Sequence, residues 1–424
     1  MKHFVVFFFL LATLSSFAQN VDFDQYFINK SLRMDFIHAG NSDTGYIYFE
    51  KLKQEPYWGG SHKNLIDTFN YGEYRVLVFD KASNKLIYSR GYATLFQEWK
   101  ATSEAKEMSR SFYEGVVVPF PKSSVWITIE EKDNLNNFRE IFRKEIKPND
   151  IFIEKGLKYD FKTDKILDNG DPANKVDIVF IAEGYTKNQI DKFKNDVKRL
   201  TDSLFSYEPF KSQKNNFNIH IVESFSEEEG TDVPGKNIWK NTIVNSNFYT
   251  FGTERYLTTQ DFESVRDIAA LAPYDQIYIL VNTPKYGGGG IYNFYNLCVS
   301  DNSASHLVLI HEFGHGFGGL ADEYWTSDVA VEEYYPTSLE PADPNITTLV
   351  NFNAKWADMV DKSTPIPTPA TEKNMQAIGV FEGGGYVEKG VYRPQQNCMM
   401  RALAYPFCKV CQRALDRMIR FYSE

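Results

Sequence analysis

A catalytic metal site is suggested by one stretch of the chain, HLVLIHEFGHGFGGLADEYW, residues 306–325. His311 and His315 are four residues apart, so on a helix both imidazoles project from one face and can reach one metal ion. Glu312 then lies beside the ion, where its carboxylate can take a proton from an activated water and later deliver it to a leaving amine. The pattern predicts a Zn²⁺ site with His311 and His315 as metal ligands and Glu312 as the general base.

A third protein ligand is needed, and the residues leave two candidates. Gly318 and Gly319 can end the helix, because glycine adopts the positive φ of a helix C-terminus. In metzincin peptidases the third ligand stands three residues after this first glycine, a position that Ala321 occupies here and that cannot bind metal. Asp322 follows, and a loop one residue longer would bring its carboxylate back to zinc. Glu323 is the alternative.

The elements that must position these residues fall into two predicted domains. Residues 19–150 contain short runs with period-two alternation, such as GEYRVLVFD and KLIYSRGYATLF, which predict an antiparallel β-sandwich. Residues 151–175 form a polar linker. In residues 176–424, strand-like runs such as VDIVFIAEGYT and FNIHIVESF are separated by helical periodicity, which predicts a mixed sheet with an active-site helix. The expected fold class is therefore α+β.

The N-terminal residues predict export. Lys2 precedes an apolar run over residues 4–14, and Ser16 to Ala18 offers small residues for cleavage, so residues 1–18 are expected to be a signal peptide. No other apolar stretch is long enough to span a membrane. We expect a secreted protein: periplasmic, cell-surface or extracellular. Its net charge of -10 gives no attraction to nucleic acid or anionic lipid, so neither is an expected partner.

Four cysteines lie in the last third of the chain: Cys298, Cys398, Cys408 and Cys411. In an exported protein they make a disulfide plausible. The CKVC motif has neither a second cysteine pair nor a nearby histidine to complete a zinc ribbon, and no thioredoxin-like pattern surrounds it. Structural bridging between Cys398 and one member of the CKVC pair is therefore favoured.

Three separated motifs carry a family resemblance: DIVFIAEGYT, HEFGHGFGGLADEY and FEGGGYVEKGVYRPQQNCMMR. From about residue 170 to the end, the chain resembles the bacterial IgA metallopeptidase family, a metzincin-related group of secreted zinc endopeptidases. The resemblance implies a metzincin-like zincin domain behind the β-sandwich. The site residues that it implies are His311, His315 and Asp322 as zinc ligands and Glu312 as the general base. It also implies Met400 as the methionine beneath the histidines, with Met399 as the alternative.

The strand QIYILVNT precedes the active-site helix, as the upper edge strand does in metzincins. We expect its edge to pair with an extended peptide substrate. Gly287 to Gly290 would then bend over the cleft as a flexible loop, or form a plain exposed connector. Tyr324 and Tyr405 are candidates for holding the oxyanion, and core packing is the alternative for both.

Together these features predict a secreted zinc-dependent endopeptidase that acts on protein or peptide substrates. One alternative is a surface binding protein whose aromatic-rich sandwich holds a glycan or a protein and whose zinc site is vestigial. The presence of Glu312 argues against it, because a purely structural site needs no general base. The other alternative is a zinc amidase acting on cell-wall peptides, which would share every metal-binding residue.

Overall fold

The computed structural model describes residues 21–133, 135–325 and 335–424. The predicted signal peptide, residues 1–18, lies outside these residues. The strands are β1 (Phe27–Gly40), β2 (Gly45–Glu55), β3 (Tyr74–Asp80), β4 (Leu86–Tyr92), β5 (Arg110–Pro121), β6 (Val125–Lys132), β7 (Phe138–Ile146), β8 (Ile153–Lys155), β9 (Thr163–Leu167), β10 (Val176–Glu183), β11 (Phe217–Val222), β12 (Gln276–Val281), β13 (Gly288–Ile291), β14 (Tyr295–Val299), β15 (Phe381–Gly384) and β16 (Val387–Arg393). The α-helices are α1 (Phe23–Tyr26), α2 (Leu95–Lys100), α3 (Ser103–Glu107), α4 (Ile190–Leu204), α5 (Phe262–Ala269), α6 (Ser305–Gly318) and α7 (Lys409–Ser423). The predicted mixture of α and β structure is confirmed.

The N-terminal part contains two four-stranded sheets with the strand orders β5-β1-β2-β8 and β4-β3-β6-β7. Their inward side chains, among them Phe36, Val78 and Ile127, share one buried core. This arrangement follows from period-two alternation, which places every second side chain on the core face. Neighbouring strands are antiparallel, except that β8 pairs with β2 in parallel.

A six-stranded sheet organises the C-terminal part, in the order β13-β14-β12-β10-β11-β9. Its four inner strands are parallel to one another, and the edge strands β9 and β13 are antiparallel to their neighbours. Every residue of β10 is buried, because α4, α6 and α7 pack on one face of the sheet and α5 packs on the other. Cover on both faces explains why this strand is apolar almost throughout.

One expectation about the elements is corrected. QIYILVNT is not an edge strand, since β12 lies between β10 and β14. The edge is β13, built from glycines that the sequence suggested to be a loop, because glycine is depleted in strands. The predicted linker, residues 151–175, contains the short strands β8 and β9, which extend the two neighbouring sheets.

Among the described residues, no helix combines the length and the apolar character that crossing a membrane requires.

Candidate metal centre and cleft

Helix α6 carries the two histidines. Its apolar side chains Leu309, Phe313 and Phe317 are fully buried in the core against α4 and α7, so the opposite face, with His311 and His315, faces the cleft. The helix ends at Gly319, whose φ of 60° is left-handed. This stop is the one expected from the double glycine, and it lets the chain turn back toward the histidines.

Backbone carbonyls orient both imidazoles. Nδ1 of His315 lies 2.6 Å from the carbonyl oxygen of Leu320, and Nδ1 of His311 lies 3.2 Å from that of Met399. If each Nδ1 donates its proton there, each Nε2 is left with a free lone pair. The two Nε2 atoms lie 3.2 Å apart. They are therefore arranged to bind one ion together.

Asp322 completes the set of donors. Its Oδ1 atom lies 3.2 Å from Nε2 of His311 and 3.4 Å from Nε2 of His315. The same oxygen is buried without a hydrogen-bond partner. The two Nε2 atoms and Asp322 Oδ1 thus face one another, and each can offer a lone pair. Such an arrangement fits a divalent cation.

A hairpin turn fixes the Asp322 carboxylate. The Tyr386 hydroxyl donates to Asp322 Oδ2 at 2.5 Å, and the Gly385 amide donates to the Asp322 carbonyl at 2.8 Å. Gly385 and Tyr386 connect β15 to β16 with φ values of 56° and 65°, as a type I′ turn requires. The turn at Gly385 and Tyr386 therefore positions the third candidate ligand.

The Asp322 carboxylate and His315 shift one another's pKa values. Burial by itself lowers the pKa of His315, but the Asp322 carboxylate outweighs this effect and raises that pKa to about 9. Burial by itself raises the pKa of Asp322, but His315 and His311 hold it well below its usual value. Both shifts reflect the attraction between one carboxylate and the adjacent ring nitrogens, an attraction that a bound cation would replace.

Glu323 is not part of this group. Its Oε1 atom accepts a hydrogen bond from Asn345 Nδ2 at 3.0 Å and lies 3.2 Å from Cys411 Sγ. The two carboxylates of Asp322 and Glu323 therefore enter different clusters. The structure therefore brings Asp322, not its neighbour, to the histidines.

Glu312 lies against the glycine edge strand. A Cβ atom at Gly288 would be 2.9 Å from Glu312 Oε1, and one at Gly290 would be 2.2 Å from the Glu312 carbonyl oxygen. Helix α6 can approach β13 this closely only because these positions lack side chains. Burial raises the pKa of Glu312, and the two histidines partly offset that rise.

Both methionines lie at the base of the site. The sulfur of Met400 packs under α6 at Gly314, where an added Cβ atom would be only 2.8 Å from it. The carbonyl oxygen of Met399 lies next to His311 Nδ1, and Met399 is one of the residues that line the cleft. The side chain directly beneath the helix is thus that of Met400, the position that the resemblance implied.

The cleft has a volume of about 540 Å³, and both parts of the chain line it. Sequence reasoning missed Glu98, Arg255, Tyr256 and Tyr386, which lie in its wall. Burial raises the pKa of Glu98 to about 7, and the Tyr256 hydroxyl donates to its carboxylate. Glu98 belongs to α2, a six-residue helix in a region where alternation predicted a β-sandwich with hardly any helix, so no sequence signal marked it.

Of the two candidate tyrosines, the structure places only Tyr324 at the cleft. The side chain of Tyr405 is 38% exposed and lies outside the lining residues. Tyr324 stacks edge-on against Tyr386, with ring centroids 5.3 Å apart, so it packs on the residue that holds Asp322.

Comparison with known families gives two matches. A family model described as IgA Peptidase M64 matches residues 165–378 and 370–419, and one described as Peptidase M64 N-terminus matches residues 22–143. No curated protein matches the chain. The first match contains both histidines, Glu312, Asp322 and the two methionines.

Proposed function

Because the chain belongs to the IgA Peptidase M64 family and is therefore a metallopeptidase, a hydrolase of peptide bonds, we propose that it is a secreted zinc-dependent endopeptidase. In this proposal His311, His315 and Asp322 hold the metal and Glu312 is the general base. The observation that carries it is the convergence of the two Nε2 atoms and Asp322 Oδ1 within 3.4 Å of one another. A zinc ion bound there would supply Lewis acidity and lower the pKa of water.

The protein's own groups do the rest of the work. Glu312 follows His311 on α6, so its carboxylate lies beside the donors and can accept a proton from the attacking water. The same carboxylic acid can then protonate the leaving amine. Its position is fixed from behind by β13, since Gly288 and Gly290 leave no room for α6 to shift toward the strand. Tyr386 and the carbonyls of Leu320 and Met399 keep the donors oriented.

A peptide substrate is proposed to lie in the cleft along β13, the true edge of the sheet. An extended segment can add to such an edge through main-chain hydrogen bonds. The outer side of β13 is partly taken, because the Leu257 amide donates to the Gly288 carbonyl at 3.2 Å. Pairing is therefore proposed for the Gly290 end, next to Glu312 and His315.

Export rests on the sequence alone, on the predicted signal peptide of residues 1–18. The zinc amidase remains the second candidate, since it would use the same donors and the same base. A vestigial zinc site is disfavoured. A protein that only binds a glycan or another protein would have no use for three oriented metal ligands, nor for Glu312 packed against Gly288 and Gly290.

The test compares the wild type with Glu312→Gln. We expect the variant to keep its zinc, because the ligands are unchanged, and to lose peptidase activity by about 10²- to 10⁴-fold, the usual contribution of general acid–base catalysis. Metal content is measured by mass spectrometry, and cleavage of casein and of immunoglobulin A by product analysis. Glu388→Gln, an exposed carboxylate on β16, is the matched control and should match the wild type.

Activity retained in Glu312→Gln would overturn the role of this residue. Peptidoglycan fragments are digested in parallel, because cleavage of these fragments alone would replace the endopeptidase by the amidase.

A further inference from the structure

A second group of potential ligands lies beside the catalytic cleft and has no part in the proposed reaction. Glu323, Cys398, Cys408 and Cys411 are all buried, and one ligand atom from each lies within 4.8 Å of the others. The three cysteines lie close together in the sequence, and the fold brings Glu323 to them from a distant part of the chain. We propose that these residues form a structural zinc site with three thiolates and one carboxylate as ligands.

The spacing of the ligand atoms fits tetrahedral zinc. A Zn–S bond of about 2.3 Å requires sulfur atoms about 3.8 Å apart, and Sγ of Cys398 lies 3.7 Å from Sγ of Cys411. Glu323 Oε1 lies 3.2 Å from Cys411 Sγ and 4.0 Å from Cys408 Sγ. All four ligand atoms lie within 4.8 Å of one another, so a single ion can be placed among them.

The Glu323 carboxylate lacks a compensating charge in hydrogen-bonding contact. Its Oε2 atom is buried without a hydrogen-bond partner, and the side chain of Glu323 is fully inaccessible. The charged group facing it is Arg393, whose Nη1 donates instead to the carbonyls of Glu382 and Gly383 at 2.8 and 2.6 Å. Burying a carboxylate without a charged partner is costly, and a divalent cation at this point offsets that cost.

Backbone amides point at the sulfur atoms. The Cys411 amide donates to Cys408 Sγ at 3.4 Å, and the Cys408 amide donates to Cys398 Sγ at 3.3 Å. Cys408 is also the N-cap of α7, where the helix dipole favours a negatively charged sulfur. Such donors stabilise thiolates, which are the form that binds metal.

The choice of zinc follows from the ligands. Thiolates are soft ligands that select zinc over magnesium, calcium or manganese. Four protein ligands in a buried pocket leave no open position for substrate, which is typical of a structural site. In the sequence the CKVC pair has neither a second cysteine pair nor a nearby histidine, but the fold brings Cys398 and Glu323 to it as the further ligands.

The proposed zinc site lies where three segments around the catalytic cleft meet. Glu323 follows Asp322 directly, and its amide donates to the Met400 carbonyl at 2.8 Å. Cys398 lies at the start of the segment that runs beneath α6, and Cys408 and Cys411 start α7. An ion here ties the loop of the third catalytic ligand, the methionine segment and the C-terminal helix together.

The first experiment counts metal in the full chain purified with zinc. The wild type should contain about two zinc ions per chain, and His311→Ala should keep about one, because its thiolate site is intact. His311→Ala loaded with Co²⁺ should show the near-ultraviolet absorption of cobalt–thiolate bonds. A variant that contains no metal, or cobalt without that absorption, would overturn the proposal while leaving the catalytic site untested by this arm.

The second experiment removes a thiolate. Cys408→Ser should lose the cobalt–thiolate absorption, whereas Cys298→Ala, which removes a buried cysteine outside the group, should keep it. If Cys408→Ser does not fold, titration of wild-type protein with a mercurial decides the question, since it should release about one zinc ion while the histidine site keeps its own.

A disulfide between Cys398 and Cys411 is the competing outcome. Denatured wild-type protein, prepared without reductant, should present all four thiols to a thiol reagent. Two missing thiols would mean a disulfide and would sink the zinc site, whatever the peptidase assays give.

Discussion

At the scale of single residues, three of the carboxylates that line the cleft lie in different surroundings: Asp322, Glu312 and Glu98. Asp322 faces two imidazoles, which hold its pKa well below the ordinary value after burial has acted against it. Burial raises the pKa of Glu312 and raises that of Glu98 to about 7. The Asp322 carboxylate is thus kept ionised, while the carboxylates of Glu312 and Glu98 bind protons more readily.

Glu98 has a consequence for stability that can be measured. Burial raises the pKa of Glu98 from its ordinary value of 4.5 to about 7 in the folded protein, so the folded state holds this proton more tightly than the unfolded state. Below about pH 4.5 the carboxyl is protonated in both states and contributes nothing. As pH rises toward 7 the unfolded state releases its proton first, so stability falls by about 3 kcal/mol at 1.4 kcal/mol per pKa unit.

Glu98→Gln should remove this loss. The free energy of unfolding of the variant, relative to wild type, should increase between pH 5 and about pH 8, as measured by denaturant titration of chelated protein. Chelation excludes pH effects that come from metal binding. Glu107→Gln, an exposed carboxylate at the end of α3, is the control and should follow the wild type. If the free energy of unfolding of Glu98→Gln differed from that of the wild type by the same amount at every pH, the expectation would be wrong.

At the scale of elements, the sequence predicted the helices and strands that are marked by a pattern within their own residues. Helix α6 and the strands β10 and β11 follow from periodicity, and the turn at Gly319 follows from glycine chemistry. The edge strand β13 was missed because its glycines are required by a neighbour, α6, that lies later in the chain. Helix α2 was missed because six residues are too few for a periodic signal.

The residues of the site also divide into those marked by local sequence and those brought together only by the fold. Spacing along one helix predicted His311, Glu312 and His315, and the glycine stop suggested Asp322. The supporting groups, such as Tyr386, come from distant segments and leave no local pattern. The separation of Asp322 from Glu323 also depends on tertiary structure, since either carboxylate could have followed the glycines.

The close approach of α6 to β13 predicts the effect of Gly290→Ala. The added Cβ atom would lie 2.2 Å from the Glu312 carbonyl oxygen and 3.1 Å from His315 Cβ, so the helix must move. We expect a loss of about 1–3 kcal/mol in stability, as for overpacked cores, together with reduced zinc affinity and activity. Gly384→Ala is the control in β15, since its Cβ atom would meet neighbours only at 3.7 Å or more.

Thermal unfolding and zinc titration are the measurements for this pair. An active, zinc-replete Gly290→Ala variant with wild-type stability would show that α6 and β13 are not packed as described.

At the scale of the whole molecule, the N-terminal part helps to build the peptidase. Arg33 Nη2 lies 2.8 Å from Asp267 Oδ1 on α5, and Lys53 Nζ lies 2.7 Å from the same oxygen, all in buried surroundings. Arg90 donates to the Tyr422 hydroxyl on α7 at 2.8 Å. Because Glu98 also lines the cleft, the two parts are expected to work as one unit.

This interdependence predicts the behaviour of a cut chain. A protease site inserted between Gly156 and Leu157, where Leu157 is exposed and a Cβ atom at Gly156 would meet nothing, allows cleavage after folding. The two pieces should stay together in gel filtration and keep peptidase activity, because buried contacts join them. Asp267→Asn should promote their separation, since breaking a buried ion pair costs about 3–5 kcal/mol.

Asp202→Asn provides the comparison, because its pairing with Lys198 is exposed and is worth at most about 1 kcal/mol. The cut Asp202→Asn protein should therefore behave as the cut wild type does. If the pieces of the cut wild type separate and the C-terminal piece alone keeps full activity, the N-terminal part does not support the cleft. If they separate and activity is lost, the interface is weaker than its ion pairs suggest, but the dependence of the cleft on Glu98 and its neighbours stands.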